Sequence, residues 1–233
     1  MSVRAASTTI RVASYNTRDL LDDLAAASRV VRAIDPDVLC LQEVPRRIFA
    51  TWRVSAFAEQ CRMYWSGHHR GSGGTTIFTS LRVQTPSSMH RRLPVRPLVR
   101  RRGYAVTTVA LPGHRPLTVA SLHLGLVPKE RGRHARLVLD ALAGAQDVVL
   151  AGDLNENETG RAHRAIAGRY PRVSAALATF PSRDPQWVLD SIFASPSLVV
   201  QAGAPVEIDE GDLVAATDHR PVWVEVGARP LDP

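Results

Sequence analysis

The sequence contains only two cysteines, Cys40 and Cys61, and their spacing fits neither a disulfide framework nor a zinc site. It has no apolar run that approaches the roughly 20 residues needed by a membrane-spanning helix. Its first residues, Met1 to Arg4, lead into a polar stretch and lack the apolar region of a signal peptide. We therefore expect reduced, packed cysteines in a cytoplasmic protein without a membrane span.

Lysine and aromatic residues are also scarce. Lys129 is the one lysine among 29 basic residues, and aromatic residues make up 6% of the chain. The formal net charge is nevertheless +7, which favours polyanionic partners. Because the excess is almost entirely arginine, a coding bias toward arginine is an alternative source of part of it. Basicity therefore fits a phosphate-bearing substrate without identifying one.

The 233 residues are 45% hydrophobic, so we expect one domain over residues 1–233 with a full core. Periodicity predicts about ten short strands, including 81–83 and 198–206, and a few helices. It also predicts a basic loop with an edge strand over 89–102 and an acidic turn over 209–212. Frequent strand-to-strand turns favour an α/β sandwich of two sheets packed face to face. The helices are too few for a barrel of eight β/α units.

Residues 148–155, Val-Val-Leu-Ala-Gly-Asp-Leu-Asn, form the most informative stretch of the chain. Its apolar run predicts a strand buried on both faces, followed by Gly152, which permits a turn or a close approach to a ligand. Asp153 and Asn155 are two residues apart, so they point the same way from an extended chain. Such a pair can hold a metal-bound water and a phosphate oxygen, although the same pattern also occurs in simple Asp/Asn turns.

Polar residues recur at the ends of the predicted strands, where a sheet delivers side chains to one rim. Oxygen donors with two imidazoles suit Mg²⁺ or Mn²⁺ and phosphate chemistry better than zinc. Each residue alone could simply end a strand or cap a turn, but the full set is poorly explained that way. The set is Asn16, Glu43, His123, Asp153, Asn155, Asp190, Asp218 and His219.

In order along the chain, these motifs resemble those of the endonuclease/exonuclease/phosphatase superfamily. The most specific matches are Gly-Asp-Leu-Asn at 152–155 and Thr-Asp-His-Arg-Pro-Val at 217–222. The other matching stretches are residues 13–16, 39–44, 73–77, 121–124 and 189–193. The resemblance implies a DNase I-like fold, a four-layer α/β/β/α sandwich with two packed, mainly antiparallel sheets. It also implies a metal-dependent phosphoric ester hydrolase.

The resemblance further implies a role for each polar residue. Glu43 would be the principal ligand of one Mg²⁺ or Mn²⁺ ion, with Asn16 and Asp218 close to the ion or to its waters. The ion would neutralise charge on the phosphoryl oxygens.

The remaining residues would be catalytic. His219 would be the general base or stabilise the transition state, with Asp190 fixing its tautomer. Asp153 would orient the attacking water, while Asn155 and His123 donate to the phosphate. The sequence leaves open whether Asp153 or His219 takes the proton.

Substrate choice depends on the loops. Abasic-site endonucleases are disfavoured, because they usually carry an acidic residue at the position of Arg18 and a tyrosine at that of His123. An arginine-rich stretch could follow a nucleic-acid backbone or be a solvated basic loop. It comprises Arg91, Arg92, Arg96, Arg100, Arg101 and Arg102.

We expect Arg18, Arg100, Arg101 and Arg102 to contact substrate phosphate.

Three functions are compatible with these features of the sequence. The first and favoured one is a nuclease acting on DNA or RNA. The second is a hydrolase of a small phosphoester or a lipid headgroup, and the third is a non-catalytic binding domain on this fold.

Overall fold

The computed structural model describes residues 7–231 except 68, 70 and 98, and the side chain of Pro86 is also outside the description. The prediction for Met1 to Arg4 therefore falls outside the described residues. The strands are β1 (Thr9–Asn16), β2 (Val38–Gln42), β3 (Tyr64–Trp65), β4 (Thr76–Thr79), β5 (Gln84–Leu93), β6 (Arg102–Ala110), β7 (Leu117–His123), β8 (Val148–Asp153), β9 (Asp190–Ala194), β10 (Val200–Ala202) and β11 (Val222–Gly227). The α-helices are α1 (Leu24–Ile34), α2 (Ala50–Gln60), α3 (Pro128–Ala141), α4 (Arg161–Ala167) and α5 (Glu210–Ala216), and a short 3-10 helix spans Arg18–Leu20.

Two sheets form the centre of the fold. The first has the strand order β10-β11-β1-β2-β4-β3 and the second the order β5-β6-β7-β8-β9. Each sheet contains one parallel pair, β1 with β2 and β7 with β8, and the other pairs are antiparallel. The prediction of two mainly antiparallel sheets is therefore confirmed.

The layers follow from strands whose two faces are both buried. In β1, Ile10 and Val12 pack in the core between the sheets, while Ala13 and Tyr15 face α1, α2 and α5. In β8, alternate residues likewise face the sheet-to-sheet core or the layer of α3 and α4. Continuous apolar strands are typical of this double burial. The result is the α/β/β/α sandwich that the resemblance implied.

Local sequence explains where α1 begins and ends. The Asp23 side chain accepts hydrogen bonds from the backbone N–H groups of Ala25 and Ala26, as an N-cap does. Asp35, in the left-handed conformation, ends the helix before Pro36, which disfavours further helix at the residue that precedes it. The acidic and proline residues thus set both boundaries.

Three of the predicted elements differ in the structure. Residues 81–83 form a turn because the Ser80 hydroxyl accepts from the N–H of Arg82. The predicted strand 198–206 is reduced to Val200–Ala202. The predicted acidic turn 209–212 begins α5, because Asp209 caps the helix by accepting from the N–H of Asp212.

The prediction of a basic loop with an edge strand over 89–102 agrees with the structure. The first part of this segment belongs to the long edge strand β5, and its last residue begins β6. Within the described part of the chain, no helix combines the length and apolar character needed to cross a bilayer.

Candidate active site

The two parallel strand pairs bring polar residues to one rim of the sandwich. Asn16, at the end of β1, is in register with Gln42, and Glu43 follows directly. In the other sheet, His123 at the end of β7 is in register with Asp153 at the end of β8. Because parallel strands end at the same edge, four of the predicted site residues meet there.

Asp153 connects the two sheets. Its Oδ2 accepts a hydrogen bond from Asn16 Nδ2 at 2.9 Å, across the sandwich. The same oxygen lies 3.3 Å from His123 Nε2 and 3.9 Å from His219 Nε2. Its Oδ1 accepts from the backbone N–H of Asn155 at 2.8 Å. This buried carboxylate is therefore the centre of the polar cluster.

Gly152 permits β8 to deliver Asp153 to this position. Its φ is +155°, and a Cβ at this residue would lie 2.0 Å from the carbonyl oxygen of Leu122 on the neighbouring strand. Any other residue would push β8 away from β7. The close approach predicted for Gly152 is therefore an approach to the neighbouring strand β7.

Asp190 and His219 form a buried dyad. His219 Nδ1 donates to Asp190 Oδ2 at 2.8 Å, and the Thr179 hydroxyl donates to the same oxygen at 2.7 Å. The His219 ring also packs against Phe180, with ring centroids 4.9 Å apart. These contacts fix the ring and leave Nε2 facing Asp153.

The carboxylates around His219 set the charges of the cluster. Burial by itself lowers the pKa of His219, but Asp190, with help from Asp153 and Asp218, raises that pKa to about 10. Burial favours the neutral form of Asp153, yet His123 and His219 hold its pKa well below its ordinary value. At neutral pH the protein therefore contains an imidazolium beside an ionised Asp153.

Glu43 completes the cluster. It has a positive φ of 52°, and its Oε1 lies 3.7 Å from His123 Nε2. Its Oε2 forms an ion pair with the Arg100 guanidinium at 2.8 Å. A cationic group thus already lies against the carboxylate that we expect to bind a metal, so the surroundings of Glu43 accommodate positive charge.

Asn16 and Asp218 supply further oxygen atoms near the same rim. The Thr217 hydroxyl donates to the backbone oxygen of Asn16 at 3.0 Å, which fixes the segment that carries Asp218. Asp218 Oδ2 lies 3.6 Å from Arg18 Nε. A donor set of carboxylate and amide oxygens fits a hard divalent cation. The ligand atoms of Asp153, Asp190 and His219 also lie within 4.8 Å of one another, but His219 and Asp190 already bind each other.

A cavity of about 860 Å³ lies next to Glu43. Its lining includes Arg100, whose guanidinium contacts both Glu43 and Asp19. The lining contains five arginines: Arg46, Arg47, Arg53, Arg100 and Arg101. Asp19 is the one acidic lining residue in the described part of the chain, and Arg100 pairs with it. The cavity is therefore strongly cationic.

The arginine-rich stretch divides among different environments. Arg91 and Arg92 lie on the edge strand β5, and Arg96 pairs with Glu130. Arg102 is only 4% exposed, and its Nε donates to the backbone oxygen of Leu124 at 2.9 Å. A side chain buried in this way supports the end of β7, whereas Arg100 and Arg101 face the cavity.

Several residues of the site had no clear signal in the sequence. Thr179 lies in an irregular segment, and only its hydrogen bond to Asp190 identifies it as part of the site. Gln42 Nε2 donates to the Ser121 hydroxyl at 3.1 Å and joins the two sheets beneath the site. Arg46 and Arg47 lie three and four residues after Glu43, and their clustering with Arg53 is the one signal that could have revealed the cavity.

Known proteins share the sequence pattern and the fold described above. A model of the Endonuclease/Exonuclease/phosphatase family matches residues 13–219. A search of curated sequences finds no match. An endonuclease/exonuclease/phosphatase from Bacteroides vulgatus superposes with a TM-score of 0.74 at 18% identity, over 96% of this chain and 100% of the other.

Two other solved structures are similar. The human nocturnin catalytic domain has a TM-score of 0.69 at 17% identity, with 95% of each chain covered. The Bacteroides thetaiotaomicron mannosyl-6-phosphatase has a TM-score of 0.70 at 20% identity, over 93% of this chain and 99% of the other.

At these identities the superpositions establish the fold, while the family model covers most of the chain and all eight polar residues of the site. The family is generally dependent on a divalent metal ion. The chain therefore belongs to the endonuclease/exonuclease/phosphatase family of phosphoester hydrolases.

Proposed function

We propose that this protein is a divalent-metal-dependent phosphodiesterase that cleaves DNA or RNA. The observation that carries the proposal is the arginine-lined cavity beside Glu43. We further propose that residues 1–233 act as one catalytic domain in the cytoplasm.

The number of guanidinium groups favours a substrate with several phosphates. One phosphate is satisfied by one or two arginines, which bind it in a bidentate fashion. Five arginines around one cavity exceed that need, whereas a nucleic-acid strand presents a phosphate at every nucleotide. Arg18, which is half exposed at the same rim, adds a further cation.

The metal site proposed here is formed by Glu43, Asn16 and Asp218, and it would hold one Mg²⁺ or Mn²⁺ ion. When bound, such an ion supplies positive charge that stabilises the phosphoryl oxygens in the transition state. Glu43 is the principal ligand in this proposal because its carboxylate already faces a cation at 2.8 Å.

The protein's own groups then have distinct roles. Asp153 stays ionised and orients the attacking water as a hydrogen-bond acceptor. His219, protonated through its contact with Asp190, stabilises the negative charge that grows on the phosphate. The Asn155 amide donates to His123 Nε2 at 3.1 Å, which holds the two side chains next to each other, and we assign both to phosphate binding when substrate is present. Of the two roles considered for His219, stabilisation of the transition state is the one its raised pKa favours.

A small phosphoester or a lipid headgroup is the second candidate. It is favoured by the compact chain and by the similarity to a mannosyl-6-phosphatase, which acts on a small sugar phosphate according to its name. The cavity is large enough for such a molecule.

Hydrolysis of bis-p-nitrophenyl phosphate with Mg²⁺, Mn²⁺ or EDTA tests the chemistry. A panel of DNA, RNA, sphingomyelin, inositol phosphates and nucleotides then tests the substrate. We expect nucleic acid to be cleaved and EDTA to abolish the cleavage. Cleavage of a small ester without cleavage of any nucleic acid would overturn the proposed substrate.

Salt dependence tests the cavity directly. Replacing Arg47 and Arg101 by alanine should reduce the slope of log kcat/KM against log salt by about 1.4 to 1.8, because each lost phosphate contact contributes about 0.7 to 0.9. Arg133→Ala, which removes an exposed arginine on α3, is the matched control and should leave the slope unchanged. An equal slope in all three proteins would exclude phosphate binding by the cavity.

A further inference from the structure

Three large apolar side chains at the beginning of α2 are exposed to solvent. Ile48 is 82% exposed, Phe49 75% and Trp52 70%, whereas most large apolar residues of the protein are buried. We call these three residues the α2 tip. In the described part of the chain, no aromatic ring packs against Phe49 or Trp52. Exposed apolar clusters of this kind are typical of interaction surfaces.

The α2 tip lies at the edge of the arginine-lined cavity. Ile48 lines the cavity, and so does Arg53, which follows Trp52 in the helix. Phe49 is the N-cap residue of α2 and Trp52 lies in its first turn, so each directly adjoins a lining residue in the chain, Ile48 and Arg53 respectively. The tip therefore borders the same space as the guanidinium groups.

The backbone of the tip is unusual. Phe49 precedes α2 with φ +59° and ψ +13°, a left-handed conformation that is uncommon for an aromatic residue. Its carbonyl oxygen still accepts the hydrogen bond from the N–H of Arg53 that begins the helix. Unfavourable backbone conformations persist where the surrounding structure holds them, and they cluster at functional sites.

We propose that Phe49 and Trp52 stack unpaired bases while the cavity arginines bind the adjoining phosphates, so that single-stranded nucleic acid is the preferred substrate. This inference rests on the proposed function and specifies its substrate class. Aromatic side chains beside a basic groove are the combination by which proteins bind single strands without sequence preference. In a duplex the bases are already stacked on each other, so the tip would contribute nothing.

The arrangement of charge favours a nucleic acid over a lipid surface. The arginines line a cavity, and one of them, Arg100, forms an ion pair with Glu43, so a strand bound there would lie beside the site. A lipid-docking tip would instead be encircled by cations that face the membrane plane. Vesicle binding is therefore included in the test as the competing outcome.

The first test compares Phe49→Ser/Trp52→Ser with the wild-type protein on a 12-residue thymidine oligonucleotide, a blunt duplex of equal length and bis-p-nitrophenyl phosphate. Stacking energies per base predict that kcat/KM for the single strand falls about 10-fold or more. Rates on the duplex and on the small ester should change less than about twofold. Tyr64→Ala, which removes an aromatic ring that is 56% exposed outside the cavity, is the control and should match wild type on all three.

The second test measures binding without turnover. In EDTA, the oligonucleotide should quench the tryptophan fluorescence of the wild-type protein, because a base stacks on the Trp52 indole. Trp52→Phe should lose this quenching while it retains affinity, since phenylalanine preserves the stacking face.

Failure of this inference differs from failure of the proposed function. Cleavage of single strands at equal rates by wild type and the double variant would overturn the inference alone. If the wild type cleaves no nucleic acid, both fail. Sedimentation of wild type, but not of the double variant, with phosphatidylserine vesicles, without oligonucleotide binding, would assign the tip to a membrane surface and overturn the inference.

Discussion

Replacement of His219 tests the catalytic cluster at its most constrained residue. His219→Asn keeps an N–H donor near the position of Nδ1, so the bond to Asp190 can persist. The substitution removes Nε2, the atom that faces Asp153. Loss of a charged donor at a reacting phosphate lowers kcat about 10²-fold or more, equivalent to about 2.7 kcal/mol of transition-state stabilisation.

His219→Ala should lose comparable activity and also destabilise the fold. Without the imidazolium, Asp190 remains buried with only the Thr179 hydroxyl as a donor. Removal of one partner of a buried ion pair costs about 3 to 5 kcal/mol. Burial raises the pKa of Asp190, which can therefore take up a proton, so we expect the lower value. About 3 kcal/mol corresponds to a fall in Tm of about 6–12 °C for a chain of this size.

The asparagine variant should remain closer to wild type in stability. It loses mainly the contact of the imidazole with Phe180, and ring contacts of this kind contribute about 0.5 to 1.5 kcal/mol. Thermal unfolding and the rate on bis-p-nitrophenyl phosphate at pH 7, measured on both variants, separate the two effects. A folded His219→Asn protein with more than a tenth of the wild-type kcat would refute the reasoning.

Three further predictions concern metal binding, packing and pH. Mn²⁺ at 100 times its Kd should stabilise the wild-type protein by about 2.7 kcal/mol, and it should stabilise the Glu43→Gln variant much less. The measurement is the shift in Tm on adding Mn²⁺, and an equal shift in both proteins would show that Glu43 does not bind the metal. Gly152→Ala should cost about 4 kcal/mol or more because its Cβ meets the Leu122 carbonyl at 2.0 Å, whereas Gly144→Ala, at a residue with open space around it, should unfold like wild type. Burial lowers the pKa of His134 in the folded protein, so the unfolded chain binds an extra proton below about pH 6.5 and stability falls as the pH decreases. His134→Gln should reduce this slope by up to about 1.4 kcal/mol per pH unit in urea titrations between pH 5 and 8, and an unchanged slope would contradict the assignment.

The elements and the candidate residues of the site were largely predictable because their signals are local. The apolar run of β8, the Gly-Asp-Leu-Asn sequence and the capping Asp23 each lie within a few residues of what they determine. The helix α5 was missed because acidic residues favour both turns and helix N-termini. Packing against α1, from the other end of the chain, decides between these two outcomes.

The environment of each side chain, in contrast, depends on contacts between distant parts of the chain. Arg100, Arg101 and Arg102 are consecutive, yet the first binds Glu43, the second lines the cavity and the third is buried beneath the end of β7. Arg100 and Arg101 end the loop that precedes β6, and Arg102 is the first residue of that strand, so what each side chain contacts depends on the segments that pack against this junction. No property of the three identical side chains could distinguish them.

The amino-acid sequence by itself determined which polar groups stand at which strand ends, because strand periodicity and turn residues act over short distances. Only the tertiary structure decided that Asp153 accepts a hydrogen bond from Asn16 across the sandwich and that His219 pairs with Asp190. It also placed the exposed α2 tip beside five arginines drawn from separate segments. Distances between residues more than a hundred positions apart are set by the packing of the two sheets, and the charges of the site follow from those distances.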